Sequence, residues 1–303
     1  MVSSRVQTGF DENPVPSSLP SPLTQTPPMA TPPSPSFLQK GDPSRAPLFL
    51  IHDAGGGVYN YAKLSEIGRP VYTIRNPWAA DEQKWEGGVE IFVEKYVEMI
   101  RGVVGKGKGG DIIVGGFSLG GQLAIDIARS LALTPRSRLR VVGIVMIDTL
   151  YPYWGPPSTV HAEIPVELVL QGCPREMREE ILRCTLWSKE DSAEWVRRNW
   201  KDTGEKKEGE GEKGGIEAEV PPPAVLLQAT NYVPVKGGNE GEGGKVAMVD
   251  YLRHDKGGWE LFPHRFLAAV WGLQGHHFGL FDRDTVTETS VRVRAACDLL
   301  AED

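Results

Sequence analysis

The chain has 303 residues, with 33 Lys+Arg against 40 Asp+Glu for a formal net charge of −7, and it is 40% hydrophobic and 24% charged. That balance leaves no basic footprint for nucleic acid or an anionic membrane surface, and no apolar run approaches the roughly 20 residues that span a bilayer. The N-terminus lacks the basic and apolar regions of a secretory signal, and Cys173, Cys184 and Cys297 form neither a CxxC pair nor a disulfide framework. A thiolate-clustered zinc site is thereby excluded, and a soluble, cytoplasmic protein is expected, with no metal or organic cofactor.

The 35 glycines and 24 prolines are unusually many, and they are concentrated. Residues 1–45 carry ten prolines among Ser and Thr, which reads as an extended, disordered tail or linker. A domain over 46–303 is expected to follow. Ala46–Ile51 is a short apolar run ending in a Gly-rich turn, and Pro70–Ile74 is a second, as buried strands require. Val89–Val104 places Ile91, Val93, Tyr96, Val97, Ile100 and Val103 at helical spacing. A strand over Asp111–Gly115, a helix over Gln122–Leu133 and a strand over Leu139–Ile147 come next. Residues 156–200 are expected to form a lid. There Met177, Ile181, Cys184 and Leu186 set one helix, and Ser188 is placed to cap a second bearing Trp195, Val196 and Trp200. The Lys/Glu/Gly stretch 201–219 and the Gly/Glu-rich 236–245 read as solvated insertions. Ala224–Gln228 and Phe266–Trp271 are the last strands, and Val286–Leu300 the last helix. Apolar strands alternating with helices predict an α/β fold, a mostly parallel sheet with helices on both faces.

One motif carries chemistry. Gly116-Phe117-Ser118-Leu119-Gly120 lies between a predicted strand and a predicted helix, the context in which G-x-S-x-G presents a strained serine at the end of a sheet. The Leu119 amide then points at a developing oxyanion. His52-Asp53-Ala54-Gly55-Gly56-Gly57 follows the first core strand, and the amide of Asp53 or Ala54 is assigned as the second oxyanion donor. A serine needs a base and the base needs an orienting carboxylate. Of six histidines, His276 and His277 follow the last strand, at the edge where strand C-termini converge, so the base is one of these two. Val141–Ile147 ends in Asp148, whereas Ala224–Gln228 runs into Ala229-Thr230-Asn231-Tyr232 without a carboxylate. The order Ser118, Asp148, His276 or His277 follows, with Asp250 and Asp255 as the fallback acids.

These residues resemble a known family, the thioesterase domains that release products from polyketide synthases and nonribosomal peptide synthetases, in the form seen in fungal polyketide pathways. The likeness rests on Leu50–Gly57, on Gly68–Tyr72 with Arg75-Asn76-Pro77, on Gly115–Gly121, on Met146–Pro152 and on Val270–Phe278, and covers about residues 46–300. It implies an α/β-hydrolase fold with a helical lid. It also places the acid directly after the strand following the nucleophile helix, which agrees with Asp148, and the histidine before Phe, which selects His277.

What the resemblance further implies is a thioesterase that hydrolyses or cyclises a polyketide or fatty acyl chain held on the phosphopantetheine of an acyl carrier protein, or on coenzyme A. Tyr151, Trp154 and Trp187 are expected to meet that chain. A Pro-rich segment ahead of the domain fits an enzyme tethered to, or descended from, a synthase, and a chain beginning at Met1 fits a free-standing one. The competing readings are a carboxylesterase or lipase acting on oxygen esters, a Claisen-type cyclase, and an inactive hydrolase-fold binding module.

Overall fold

The computed structural model describes residues 35–301 apart from 82, 106–108, 135–136, 157, 200–219, 236–244 and 255; the side chains of 89, 193–194 and 196–199 are also outside the description. Strand β1 (Ser36–Gln39) is followed by β2 (Leu48–Ile51), β3 (Val71–Ile74), helix α1 (Gly88–Val104), β4 (Gly110–Phe117), α2 (Leu119–Leu133) and β5 (Leu139–Ile147). Then come α3 (Val166–Val169), α4 (Arg178–Asn199), β6 (Ala224–Ala229), β7 (Leu267–Leu273) and α5 (Val286–Leu300). The seven strands order as β1-β3-β2-β4-β5-β6-β7. Only the β1–β3 pairing is antiparallel, and every other neighbouring pair is parallel.

Side chains alternate between the faces of a strand, and here the alternation sorts the core into two layers. Phe49, Ile51, Ile112, Val114, Ile144, Met146 and Leu226 meet α1 and α2 on one face. Leu48, Leu50, Ile113, Val145, Ile147, Val225 and Leu227 pack with Val293, Ala296 and Cys297 of α5 on the other. Strands apolar on both sides must be covered on both sides, which is why these segments read as unbroken apolar runs.

Two expectations are corrected. The Pro-rich segment was expected to lie outside the domain as far as residue 45. Ser36–Gln39 instead adds the antiparallel edge strand, with Phe37 opposite Tyr72 and their ring centroids 5.2 Å apart. Gln39 is the anchor: its Nε2 donates to the Leu64 and Ser65 carbonyls at 3.0 and 3.1 Å, and its Oε1 accepts the Ile67 amide at 2.9 Å. Four residues bounded by Pro35 and Gly41 are too short to show a period, so the pattern carried no strand signal. Residues 1–34 lie outside the described residues.

The second correction concerns the lid. A single helix, α4, replaces the two that were expected, and Ser188 sits inside it rather than at a cap. Its hydroxyl is already committed elsewhere, donating to the Ala54 carbonyl at 3.0 Å. Of the residues expected on the second helix, Val196 by its side chain and Trp200 altogether lie outside the described residues. Helix α4 is tied to the body by Arg75–Glu180 at 2.9 Å, by Trp85 Nε1 donating to Asp191 at 2.8 Å, and by Trp195 Nε1 donating to the buried Asp126 of α2. Among the described residues no helix is long and apolar enough to cross a membrane.

A further tie lies beneath the site. The Tyr61 hydroxyl donates to the Ile51 carbonyl at 2.6 Å and accepts the Phe117 amide at 2.8 Å, joining the ends of β2 and β4.

Three measurements check these ties. A chain starting at residue 46 should be less stable than one starting at residue 35. The loss is about 2–4 kcal/mol in urea unfolding, from three Gln39 bonds worth about 0.5–1.5 kcal/mol each. Tyr61→Phe leaves a buried amide and a buried carbonyl unpaired and should cost about 1–3 kcal/mol. Burial pushes the Asp126 carboxyl up to about 7, against the pull of the Trp195 bond. The folded state therefore binds a proton that the unfolded chain has released, and stability should fall as pH rises from about 4 to about 7. Melting curves of Asp126→Asn across that range should lack this component.

Candidate active site

Ser118 occupies the first position after β4 and precedes α2, with φ 55° and ψ −118°. A non-glycine residue in this region is strained, and the fold must hold it there. Two contacts do so. The Ser118 amide donates to the Ile147 carbonyl at 2.9 Å, extending the β4–β5 ladder by one rung, and the Ser118 carbonyl accepts the Gly121 amide at 3.2 Å. The turn is so tight that the backbone of β2 passes through the space a side chain would need: a Cβ on Gly120 would lie 2.4 Å from the Ile51 carbonyl oxygen, and one on Gly116 2.7 Å from it. Glycine at both positions is a steric requirement.

Asp148 follows β5 directly and has φ 42°. Ser118 and Asp148 are thus two of the three non-glycine residues at positive φ among the described residues, the third being Lys256. The Asp148 amide donates to the Leu227 carbonyl at 2.7 Å. Its Oδ1 accepts the Ala229 amide at 2.8 Å, and its Oδ2 accepts from His277 Nδ1 at 2.7 Å. Both side chains are buried. Burial alone would push the Asp148 carboxyl up. The hydrogen bond and charge of His277, then Arg253 and the Ala229 amide, outweigh it and hold Asp148 below the usual carboxylate range.

His277 lies in a short helical turn after β7, its ring 4.6 Å from that of Phe117 and 5.0 Å from that of Phe278. Its neighbour His276 has a buried Nδ1 with no hydrogen-bond partner, and burial lowers its basicity. The geometry therefore joins Asp148 to His277 and not to His276. Asp250, the first fallback acid, is engaged elsewhere: its Oδ2 accepts the Val233 amide at 2.8 Å and its Oδ1 accepts from Arg253 Nε at 2.7 Å. Asp255 lies outside the described residues.

Ser118, Leu119, His277, Asp53 and Ala54 line one cavity of about 190 Å³. The loop after β2 is shaped from within. Asp53 Oδ1 accepts the Gly55 amide at 2.9 Å, and His52 bridges the Asp53 carbonyl at 2.6 Å and the Tyr96 hydroxyl at 2.5 Å. Burial drives the His52 ring down to about 4, so it holds the loop as a neutral group. Burial also pushes the Asp53 carboxyl up to about 6, against the Gly55 amide and the charge of His277. Ile181, Thr185, Leu186 and Ser188 of α4 form the opposite wall, with Trp154 and Leu168 beside them.

Of the three aromatic residues expected to meet an acyl chain, only Trp154 lines the cavity. Tyr151 is buried in the core, its ring 5.6 Å from that of Trp259, because its amide is held by the Gly257 carbonyl at 2.8 Å. Trp187 is half-buried against the core, edge-on to Trp85 at 5.3 Å and under the Arg183 guanidinium. Its neighbours Leu186 and Ser188 line the cavity instead. Sequence reasoning missed Tyr61, Gln122, Ser188 and Arg253. Gln122 shares the motif helix with Ser118, four residues on, and that spacing was the one available signal. Among the described residues no group of three or more His, Cys, Asp and Glu is placed to hold a metal ion.

No family model matches the chain. Curated relatives do. The chain is 32% identical over 271 residues to "Probable thioesterase gloN" of Glarea lozoyensis, covering 88% of this chain and 93% of that protein. It is 31% identical over 253 residues to "Thioesterase frbD" of Dothideomycetidae sp., covering 83% and 88%. Among solved structures, the NocB thioesterase domain from the nocardicin cluster superposes with a TM-score of 0.56 at 18% identity, over 84% of this chain and 94% of that one. The wild-type Vlm2 thioesterase domain gives 0.55 at 18% identity, over 86% and 96%. Those two likenesses are of fold, and they agree with the sheet order described above. Taken with the fungal relatives, they show that this chain belongs to the thioesterases, built on the α/β-hydrolase fold.

Proposed function

We propose that the chain is a serine-dependent thioesterase that releases a polyketide or fatty acyl group from the phosphopantetheine of an acyl carrier protein, or from coenzyme A, through an ester on Ser118. The observation that carries this reading is the 2.7 Å bond between His277 Nδ1 and Asp148 Oδ2, set where His277 shares a cavity wall with Ser118, Leu119 and Ala54. Asp148 holds the imidazole with Nδ1 protonated, which leaves Nε2 as the acceptor that a serine hydroxyl requires.

Ser118 gives its proton to Nε2 as its oxygen bonds to the thioester carbonyl carbon. The negative charge that develops on the carbonyl oxygen is met by the Leu119 amide at the start of α2 and by the Ala54 or Asp53 amide. The carbon–sulfur bond then breaks, and the proton passes from His277 to the departing thiol. Water, or a nucleophile within the acyl chain, attacks the Ser118 ester by the same route in reverse. The wall formed by Phe117, Leu119, Trp154, Ile164, Leu168 and Leu186 is apolar, which suits a hydrocarbon-rich acyl group. No metal or organic cofactor has a step in this scheme.

Labelling by a fluorophosphonate probe tests it: the wild type should gain one adduct on Ser118, and Ser118→Ala none. Asp148→Asn should lower kcat by roughly 10⁴-fold, because the imidazole takes the wrong tautomer, while Asp250→Asn should leave labelling intact. The opposite pattern for these two would move the acid to Asp250. Faster turnover of an acyl group on carrier protein than of the matching oxygen ester supports a thioesterase; the reverse preference supports a carboxylesterase. A new ring in the product would identify cyclisation.

A further inference from the structure

Arg253 is a buried cation that the scheme above does not use. It follows a short helical turn, Met248–Asp250, and its side chain is 5% exposed. Its Nε donates to Asp250 Oδ1 at 2.7 Å, and Nη2 donates to the same oxygen. Nη1 donates to the Ala229 carbonyl. Nη2 also lies 3.6 Å from Asp148 Oδ2, the oxygen that receives the His277 proton donor. The Arg253 carbonyl in turn accepts Gln228 Nε2 at 2.6 Å.

The end of β6 is therefore gripped from two sides. The Ala229 amide points to Asp148 Oδ1 and its carbonyl to Arg253. Asp250 holds the guanidinium in plane and is itself fixed by the Val233 amide. Two buried carboxylates and one guanidinium meet here. With the imidazole protonated the four charges balance, and with it neutral one negative charge is left over.

We propose that Arg253 is a positioning residue of the triad, one that fixes the Asp148 carboxylate and tunes the proton affinity of the pair it forms with His277. This rests on the triad reading above. The charged and titratable groups around His277 are Asp148 from the end of β5, Arg253 from the loop after Asp250, Asp53 from the loop after β2, and His276 beside it in the chain. Arg253 is the one permanent cation among them, and it shares the Asp148 carboxylate with His277. Removing Arg253 leaves the carboxylates unopposed, so the imidazolium is held more tightly and the serine's base is available only at higher pH.

The test uses the full chain and an acyl-CoA thioester as substrate. In Arg253→Met, kcat should fall roughly 10–100-fold with KM within about twofold. The acidic limb of the kcat/KM profile should move up by at least about half a pH unit. Arg253→Lys restores the charge without the fork: the limb should return toward the wild-type position while kcat recovers only in part. Should Arg253→Met fail to fold for want of a partner for Asp250, the double variant Arg253→Met with Asp250→Asn removes the orphaned charge; kcat should fall as in the single variant, with a smaller upward displacement because one carboxylate charge has gone as well. A folded Arg253→Met or double variant with wild-type kcat and an unmoved limb would show Arg253 to be a structural ion pair only. Absence of Ser118-dependent turnover in the wild type would overturn the triad reading and this one together; normal wild-type turnover with unaltered Arg253 variants overturns this one alone.

Discussion

The backbone ladder of the central sheet continues past the ends of its strands. The Ser118 amide donates to the last carbonyl of β5 and the Asp148 amide to the Leu227 carbonyl of β6, so both residues remain part of the sheet while their own dihedral angles have left it. Parallel pairing makes this possible, since β4, β5 and β6 all present their carboxyl ends to the same edge. Ser118 and Asp148, 30 residues apart in the chain, are held at that edge by hydrogen bonds of the scaffold, each at positive φ.

From that edge the remaining features follow by packing. The α2 helix must start within the elbow, so β2 passes against Gly116 and Gly120 with no room for a methyl group. That contact brings the loop after β2 beside Ser118. The loop keeps its shape through neutral His52 and through Asp53, and helix α4 closes over it by the Ser188 bond to Ala54. The cover over the cavity and the loop beneath it are thus one connected unit. Displacing α4 would disturb the Ala54 carbonyl directly, which ties access to the cavity to the shape of the loop after β2.

The electrostatics of the site are arranged in layers. His277 and Asp53 line the cavity with Ser118. Behind His277 lies Asp148, and beyond it Arg253 and Asp250. A carboxylate buried this deeply is expected to take up a proton, and the ordered donors around Asp148 prevent it. Asp53 and Asp126 show the contrast. Asp126 is buried and Asp53 half-buried, each with fewer charged donors, and burial pushes them up to about 7 and about 6.

Much of this was legible in the residues themselves. Apolar runs bounded by turn signals located β2, β3, β5 and β6 to within two or three residues, and the helical spacing of Ile91 to Val103 located α1, because local periodicity is a property of the chain alone. G-x-S-x-G between a strand and a helix pointed to Ser118, and the lack of a carboxylate after Ala224–Gln228 pointed to Asp148. What the chain could not display were contacts between segments distant in sequence. Residues alone left His276 and His277 open, and the structure separates them by which ring nitrogen reaches Asp148, 129 positions away. Edge strand β1 depends on Gln39 meeting Leu64–Ile67, not on any pattern of its own. Trp187 packs on Trp85 instead of lining the cavity because of where α4 rests on Trp85 and Asp191. Arg253 belongs to no motif in the sequence, and it is β6 and Asp250 that enclose it. Local order follows from neighbours in the chain, whereas burial, charge pairing and the choice of face are set by which segments meet, and only the folded molecule decides that.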